Sequence, residues 1–309
     1  MIDFELPAER TRLWHNAMDA EQHYGLLGEY AGDSASAPEP GGDVSRWRGM
    51  RSLAGDDALR LRAGHDEANL YLALETRMAV DSARWVIGID TWRRDRGQFR
   101  LPGEGKRLPV GVEFAIVITD SADAQLVVTP TYNPYLGPRP GMRATDLDAF
   151  TNDSATADAI RDDGRFDSLF VTTNRFRIAR NGREFPAHGV NRGRLRYGRA
   201  SESTRADWFV DRSGERPVIE LRLPWGLLNV TDPSSRTVLL RITGRSPYAT
   251  AVTDGFRFVV SARSPAGTVL AELPPDSTYT WRGWETPTWH ERLKPAYAAM
   301  RQVWGEDPP

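Results

Sequence analysis

Apolar side chains alternate with small or polar ones in short runs along most of this chain. In residues 69–75 three leucines fall on one face of an extended chain, and in residues 85–92 Trp85, Ile87 and Ile89 do the same. A period of two residues is typical of a strand with one buried face. These two runs therefore predict two central strands.

Similar runs recur from Val44 onward, and few helical patterns interrupt them. The pair Asn181 and Gly182 lies between RFRIAR and REF, and this pattern predicts a β-hairpin because both residue types tolerate positive φ. The sequence therefore predicts an all-β fold, an antiparallel β-sandwich with short helical extensions at both ends. Further strands are predicted at 59–61, 111–118, 124–129, 169–173, 219–223, 238–242, 256–260 and 269–273.

The composition of the chain changes at three places, which suggest its organisation. Residues 1–43 form an N-terminal arm that ends in a linker rich in Pro, Gly and small residues. The predicted sandwich occupies residues 44–280, with an insertion at about 133–216 that is rich in Pro, Gly, Asp and Arg. Residues 281–309 form an aromatic tail, in which Thr288 and Glu291 resemble a capping box at the start of a helix.

Charge and composition exclude several classes of function. The net charge of −2 gives no field that would recruit nucleic acid. No cysteine is present, so disulfides, thiolate metal sites and cysteine nucleophiles are excluded. No apolar run is long enough to span a bilayer, and the N-terminus does not resemble a signal peptide. We expect a soluble chain, extracellular or at the cell surface if it belongs to a larger exported protein.

Two carboxylates are the enzymatic candidates. The chain has no GxSxG elbow, no phosphate-binding loop and no dinucleotide fingerprint, and its five histidines are scattered. Asp90 and Glu113 occupy equivalent, outward-pointing positions on strands predicted to be neighbours. Paired carboxylates are what glycoside hydrolysis requires.

Exposed aromatic rings and loop oxygens provide the binding candidates. Sugar rings stack on indoles and phenols while nearby carboxylates accept hydrogen bonds from their hydroxyls. The oxygens of Asp66, Glu67 and Asp90 are candidates for holding a calcium ion, which prefers several oxygen ligands. The candidate stacking residues are Trp92, Tyr132, Tyr135 and Trp225.

The runs HDEANLYLALETR, WVIGIDTW and VGVEFAIVI together resemble the family 9 carbohydrate-binding modules and the related DOMON sandwiches. The resemblance covers residues 44–131 well and residues 217–273 more loosely. It implies a sandwich fold, a binding or cation face near Asp90 and Glu113, and a stacking role for Trp92. The insertion at 133–216 departs from that pattern.

Three functional hypotheses follow. The favoured one is a non-catalytic carbohydrate-binding sandwich, a module of a larger bacterial protein, with no cofactor other than calcium. The second is a scaffold whose aromatic ends pack on an upstream domain or a partner protein. The third is a glycosidase that uses Asp90 and Glu113.

Overall fold

The computed structural model describes residues 28–32, 38–120, 123–132, 162–174, 177–186, 188–199, 206–240, 249–284 and 289–293. Most elements of this part are strands, and every ladder between them is antiparallel. One short helix, α1, spans Val44–Arg48, and 3-10 turns span Val80–Ser82, Pro130–Tyr132 and Trp225–Leu228. The strands are β1 (Gly28–Gly32), β2 (Arg51–Gly55), β3 (Leu59–His65), β4 (Asn69–Thr76), β5 (Arg84–Asp90), β6 (Phe114–Ile118), β7 (Ala124–Val128), β8 (Asp167–Ser168), β9 (Phe170–Asn174), β10 (Arg177–Ile178), β11 (Glu184–Phe185), β12 (His188–Asn191), β13 (Arg194–Leu195), β14 (Trp208–Asp211), β15 (Val218–Pro224), β16 (Val230–Asp232), β17 (Thr237–Leu240), β18 (Ala249–Val252), β19 (Phe256–Arg263), β20 (Val269–Leu273), β21 (Thr278–Tyr279) and β22 (Trp289–Leu293).

Two sheets form the body of residues 35–286. The larger sheet has the strand order β13-β7-β6-β5-β19-β20, with β8 added to β7 and β21 added to β19. The smaller sheet has the order β14-β15-β4-β3-β2. The two runs with the clearest alternation, β4 and β5, are therefore central strands of different sheets. The predicted antiparallel all-β sandwich is confirmed.

The main core lies between the two sheets. Leu72 of β4 and Leu221 of β15 contribute to it from the smaller sheet, and Ile87 of β5 and Phe114 of β6 from the larger one. Each belongs to the apolar set of its own alternating run, and each is fully buried. Removing such surface from water provides most of the favourable free energy of folding.

The outer face of the larger sheet is also buried. The segment 97–112 crosses it and places Leu101, Leu108 and Val112 against Val86 of β5. Gly88 of β5 has no side chain where the segment approaches, and a Cβ there would lie 2.6 Å from a methyl group of Leu101. The segment after Trp92, although rich in arginine, thus covers this face of the sheet with apolar side chains.

The outer face of the smaller sheet is covered by α1 and the residues before it. Trp47 of α1 is fully buried, and its ring meets the edge of Tyr71 of β4 at 5.9 Å between centroids. Asp43 caps this helix by accepting the Ser45 backbone N–H at 2.9 Å. The prediction of strands from Val44 onward was wrong at this point, because a capped turn presents Trp47 to the sheet.

The predicted hairpin at Asn181 and Gly182 is confirmed. Strands β10 and β11 pair on either side of it, and Gly182 has a φ of +80°. Asn181 contributes through its side chain, which accepts the Arg183 backbone N–H at 3.1 Å. Three other strands from the predicted insertion, β8, β13 and β14, extend the two main sheets.

The two ends of the chain form a separate compact unit, residues 1–34 with 287–309. Its described part is a two-stranded ladder in which β1 pairs with β22, with Tyr30 opposite Glu291. The predicted helix start at Thr288 and Glu291 was wrong, because Glu291 belongs to this strand. The rest of that predicted helix and most of the N-terminal arm lie outside the described residues. No helix in the described ranges is long and apolar enough to cross a membrane.

Candidate functional site

The carboxylates of Asp90 and Glu113 lie side by side, but inside the protein. Strands β5 and β6 pair with Ile89 opposite Phe114, so the prediction of neighbouring strands is confirmed. Both carboxylates are fully buried, so the prediction that they face solvent was wrong. Both carboxylates lie on the outer face of the larger sheet, and segment 97–112 covers that face at Val86 and Ala115.

Each of these carboxylates has its own partners. The Oδ2 of Asp90 lies 3.2 Å from Nη1 of Arg257, an equally buried residue of β19. The Oε2 of Glu113 accepts the backbone N–H of Thr91 at 2.7 Å. The second guanidinium nitrogen of Arg257 reaches Asp254 at 2.8 Å.

Burial decides the protonation of this pair. Burial raises the pKa of Asp90 to about 6, although the Arg257 guanidinium opposes the shift. Burial and then the Asp90 charge raise the pKa of Glu113 well above its ordinary value. Burial therefore favours the protonated form of Glu113, whereas the Arg257 guanidinium favours the ionised form of Asp90. This arrangement ties β5, β6 and β19 together at one end of the sheet.

The aromatic candidates beside this pair are largely packed. Trp92 is half-buried, its ring centroid lies 6.2 Å from that of Tyr132, and the Arg93 guanidinium lies 5.5 Å from its centroid. Tyr132 is 5% exposed and meets the edge of Phe114. The prediction of an open stacking platform at Tyr132 was wrong, because its ring is buried. Trp92 is partly accessible, so its stacking role stays a prediction. Tyr135 lies outside the described residues.

The predicted calcium ligands do not converge. Among the described residues, no three His, Asp or Glu side chains come together in a way that could hold a metal ion. Asp66 uses its side chain to close the turn into β4, since Oδ1 accepts the backbone N–H groups of Ala68 and Asn69. Its Oδ2 accepts the Tyr71 hydroxyl at 2.7 Å. The described part of the chain gives the calcium prediction at Asp66, Glu67 and Asp90 no support.

The remaining candidate, Trp225, belongs to a different group of rings. We call this group the aromatic cluster, and it surrounds the exposed His65 at the end of β3. The ring centroid of His65 lies 6.3 Å from Trp225, 6.0 Å from Tyr279 and from Trp281, and 6.1 Å from Trp284. The cluster consists of His65, Trp225, Tyr279, Trp281 and Trp284.

Three of these rings form a fixed floor. Trp225, Tyr279 and Trp281 are each 3–4% exposed. The indole N–H of Trp225 donates to the Asp66 backbone carbonyl at 3.0 Å, and that of Trp281 donates to the Pro233 carbonyl at 2.7 Å. Trp225 was predicted to be an open platform, and its burial shows instead that it supports the rings above it.

Two rings form the accessible part of the cluster. His65 is exposed and Trp284 is half-buried, and their planes are inclined by only 18°. The Nδ1 of His65 lies 2.6 Å from the Tyr279 hydroxyl. Desolvation by the surrounding rings lowers the pKa of His65. The Nδ1 of His65 and the Tyr279 hydroxyl therefore share a hydrogen bond whose direction depends on the histidine tautomer, and Nε2 is the second polar atom of the ring.

Three chain segments that are distant in sequence build this cluster. His65 is the last residue of β3, Trp225 lies in the 3-10 turn after β15, and Trp281 and Trp284 lie in the segment that follows β21. The sequence analysis selected Trp225 as a candidate but not His65, Trp281 or Trp284. The short spacing between Trp281 and Trp284 was the one sequence feature that indicated a cluster of rings. Their position beside His65 depends on the pairing of β21 with β19.

Comparison with known proteins adds no family assignment. No protein-family model and no curated protein matches this sequence.

Proposed function

We propose that this chain is a non-catalytic β-sandwich that binds carbohydrate at the aromatic cluster. The observation that carries the proposal is the exposed His65 ring, nearly parallel to half-buried Trp284 and backed by three buried aromatic residues. Sugars present apolar C–H faces to such rings and hydroxyls to the polar groups around them.

The cluster is suited to binding because its geometry exists before a ligand arrives. The floor residues Trp225 and Trp281 are held by backbone hydrogen bonds, and Tyr279 fixes the orientation of His65. Ordering side chains on binding costs about 0.5–1.5 kcal/mol each, and a preformed cluster avoids most of that cost.

The fold and the sequence resemblance support the same class of function. The runs that resemble carbohydrate-binding modules form β4, β5 and β6, which are central strands of the sandwich. The carboxylates of Asp90 and Glu113 are buried, so we place the ligand at the aromatic cluster and not on the face near Asp90.

Affinity gel electrophoresis against a panel of soluble polysaccharides tests this function. We expect at least one polymer to retard the chain and the variant Trp284→Ala to lose that retardation. Trp92→Ala is the matched control, since it removes another half-buried indole near the end of β5 and should migrate like the parent. If no polymer retards the parent, the proposed function is wrong; if only Trp92→Ala loses retardation, the site lies at Trp92.

A further inference from the structure

Arginines accompany the aromatic cluster on three separate elements. Arg51 begins β2, Arg236 lies in the turn before β17, and Arg282 lies between Trp281 and Trp284. Arg51 and Arg282 are exposed. Arg236 donates to the Thr280 hydroxyl at 3.1 Å, which fixes it beside the segment that carries the tryptophans.

The β-ladder places Arg51 on the same side as His65. Arg51 pairs with Ala63, and Ala63 lies two residues before His65 on β3. Paired residues of an antiparallel ladder project from one face, as do residues two apart on a strand. Burial raises the pKa of Tyr279, and the positive charge of Arg51 opposes that shift, so Arg51 lies within electrostatic reach of the hydroxyl that contacts His65.

These arginines form no ion pair within the part of the chain that the structure describes. Among the described residues, neither Arg51 nor Arg282 has an acidic side chain within ion-pairing distance. Asp66 is the carboxylate nearest in sequence to His65, and its two oxygens accept three hydrogen bonds within its own turn. Asp232 likewise accepts hydrogen bonds from Ser234.

We propose that the ligand of the aromatic cluster is an acidic saccharide, one that carries carboxylate or sulfate groups. This inference rests on the proposed function and specifies its substrate class. Two guanidinium groups carry the argument: that of Arg51, which acts electrostatically on Tyr279, and that of exposed Arg282, which lies in sequence between Trp281 and Trp284. Guanidinium groups match the geometry of carboxylate and sulfate oxygens with paired hydrogen bonds.

Two pairs of polymers test the inference, because each pair shares a backbone and differs in charge. Polygalacturonate is compared with its fully methyl-esterified form, and dextran sulfate with dextran. We expect the charged member of at least one pair to bind the parent chain, and the neutral member to bind about tenfold more weakly or worse. The first pair reports carboxylate recognition and the second reports sulfate recognition.

Variants separate a site from general attraction to a polyanion. Arg51→Gln and Arg282→Gln should each weaken binding of the charged polymer about fivefold to tenfold, and Trp284→Ala should abolish it. Arg180→Gln is the matched control, since it removes an equal charge from an exposed position in the β10–β11 hairpin. Thermal melts check that each variant keeps the fold.

The outcomes are distinct. Retention of affinity in Arg180→Gln together with loss in the cluster variants supports the inference. Equal binding of charged and neutral polymers, unaffected by Arg51→Gln, overturns the acidic ligand and leaves the proposed function standing. Equal losses in all three arginine variants also overturn it, because attraction would then follow net charge. If no polymer of any kind binds, the proposed function itself is wrong.

Discussion

Glu220 on β15 is a buried acid whose replacement should stabilise the protein. Its side chain lies on the outer face of the smaller sheet, fully buried, and Oε2 accepts the backbone N–H of Gly41 at 2.7 Å. Burial raises the pKa of Glu220 to about 8. Among the charged groups around it, Asp211 raises this pKa further, whereas Arg199 and Arg48 oppose the shift. Glu220 therefore holds the segment before α1 against the sheet in its protonated form.

The size of the effect follows from proton linkage. The folded pKa of about 8 lies above the ordinary value of 4.5, so between these pH values the folded chain binds one proton more than the unfolded chain. The contribution of Glu220 to the free energy of unfolding is fully present below about pH 4.5. It falls by about 1.4 kcal/mol per pH unit between that pH and the folded pKa. At neutral pH the loss amounts to about 3 kcal/mol. Glu220→Gln keeps an acceptor for Gly41 without this loss, so it should gain about that amount.

Urea denaturation followed by tryptophan fluorescence measures this gain. The free energy of unfolding of Glu220→Gln should equal that of the parent near pH 4 and exceed it by about 3 kcal/mol near pH 7. Glu215→Gln is the control, because Glu215 is exposed and lies five residues earlier. A difference between Glu220→Gln and the parent that stays constant with pH would refute the reasoning, as would a less stable variant near pH 7.

Other substitutions test the remaining buried contacts. Burial raises the pKa of Asp90 from 3.8 to about 6 and that of Glu113 well above 4.5, so ionisation of either carboxyl group lowers the stability of the folded chain. Asp90→Asn should therefore lessen the fall in the free energy of unfolding between about pH 4 and pH 6, and Glu113→Gln should lessen the fall above about pH 4.5. Urea denaturation at several pH values measures both effects, and a pH dependence identical to that of the parent would contradict the expectation. Gly41→Ala should cost about 2–3 kcal/mol, since Gly41 has a φ of +69° and a Cβ there would lie 2.5 Å from Cγ of Arg199. Gly267→Ala, with a φ of +85° and open space around it, isolates the backbone cost and should lose only about 1 kcal/mol in thermal or urea unfolding.

The inner face of the sandwich could be predicted because it depends on local pattern. The apolar set of each strand, such as Leu72 in β4 and Ile87 in β5, recurs with a period of two and forms the main core. The hairpin at Asn181 and Gly182 could be predicted for a similar reason, since the turn is specified by two adjacent residues. The assignment of β4 and β5 to different sheets could not be predicted, because it depends on pairing with distant strands.

The outer faces could not be predicted in the same way. Asp90, Glu113 and Glu220 alternate with core residues, and such positions are usually solvated in an antiparallel sheet. Here the outer face of one sheet is covered by segment 97–112 and that of the other by α1 and the residues before it. Each cover is held by a few apolar side chains, such as Leu101 and Trp47. The period of a strand carries no information about whether another part of the chain covers its second face.

Coverage of both outer faces also determines where a ligand can bind. The outer positions around Gly88 in β5 contact segment 97–112, and those around Tyr71 in β4 contact α1, so neither central face is open to a sugar. Within the described part of the chain, the aromatic cluster instead combines an exposed ring, a buried aromatic floor and unpaired positive charge. Its open rings lie where β3 ends and the segment after β21 begins, so they depend on loops rather than on strand pattern. This explains why the fold could be predicted from the sequence, whereas the site that we propose at His65 could not.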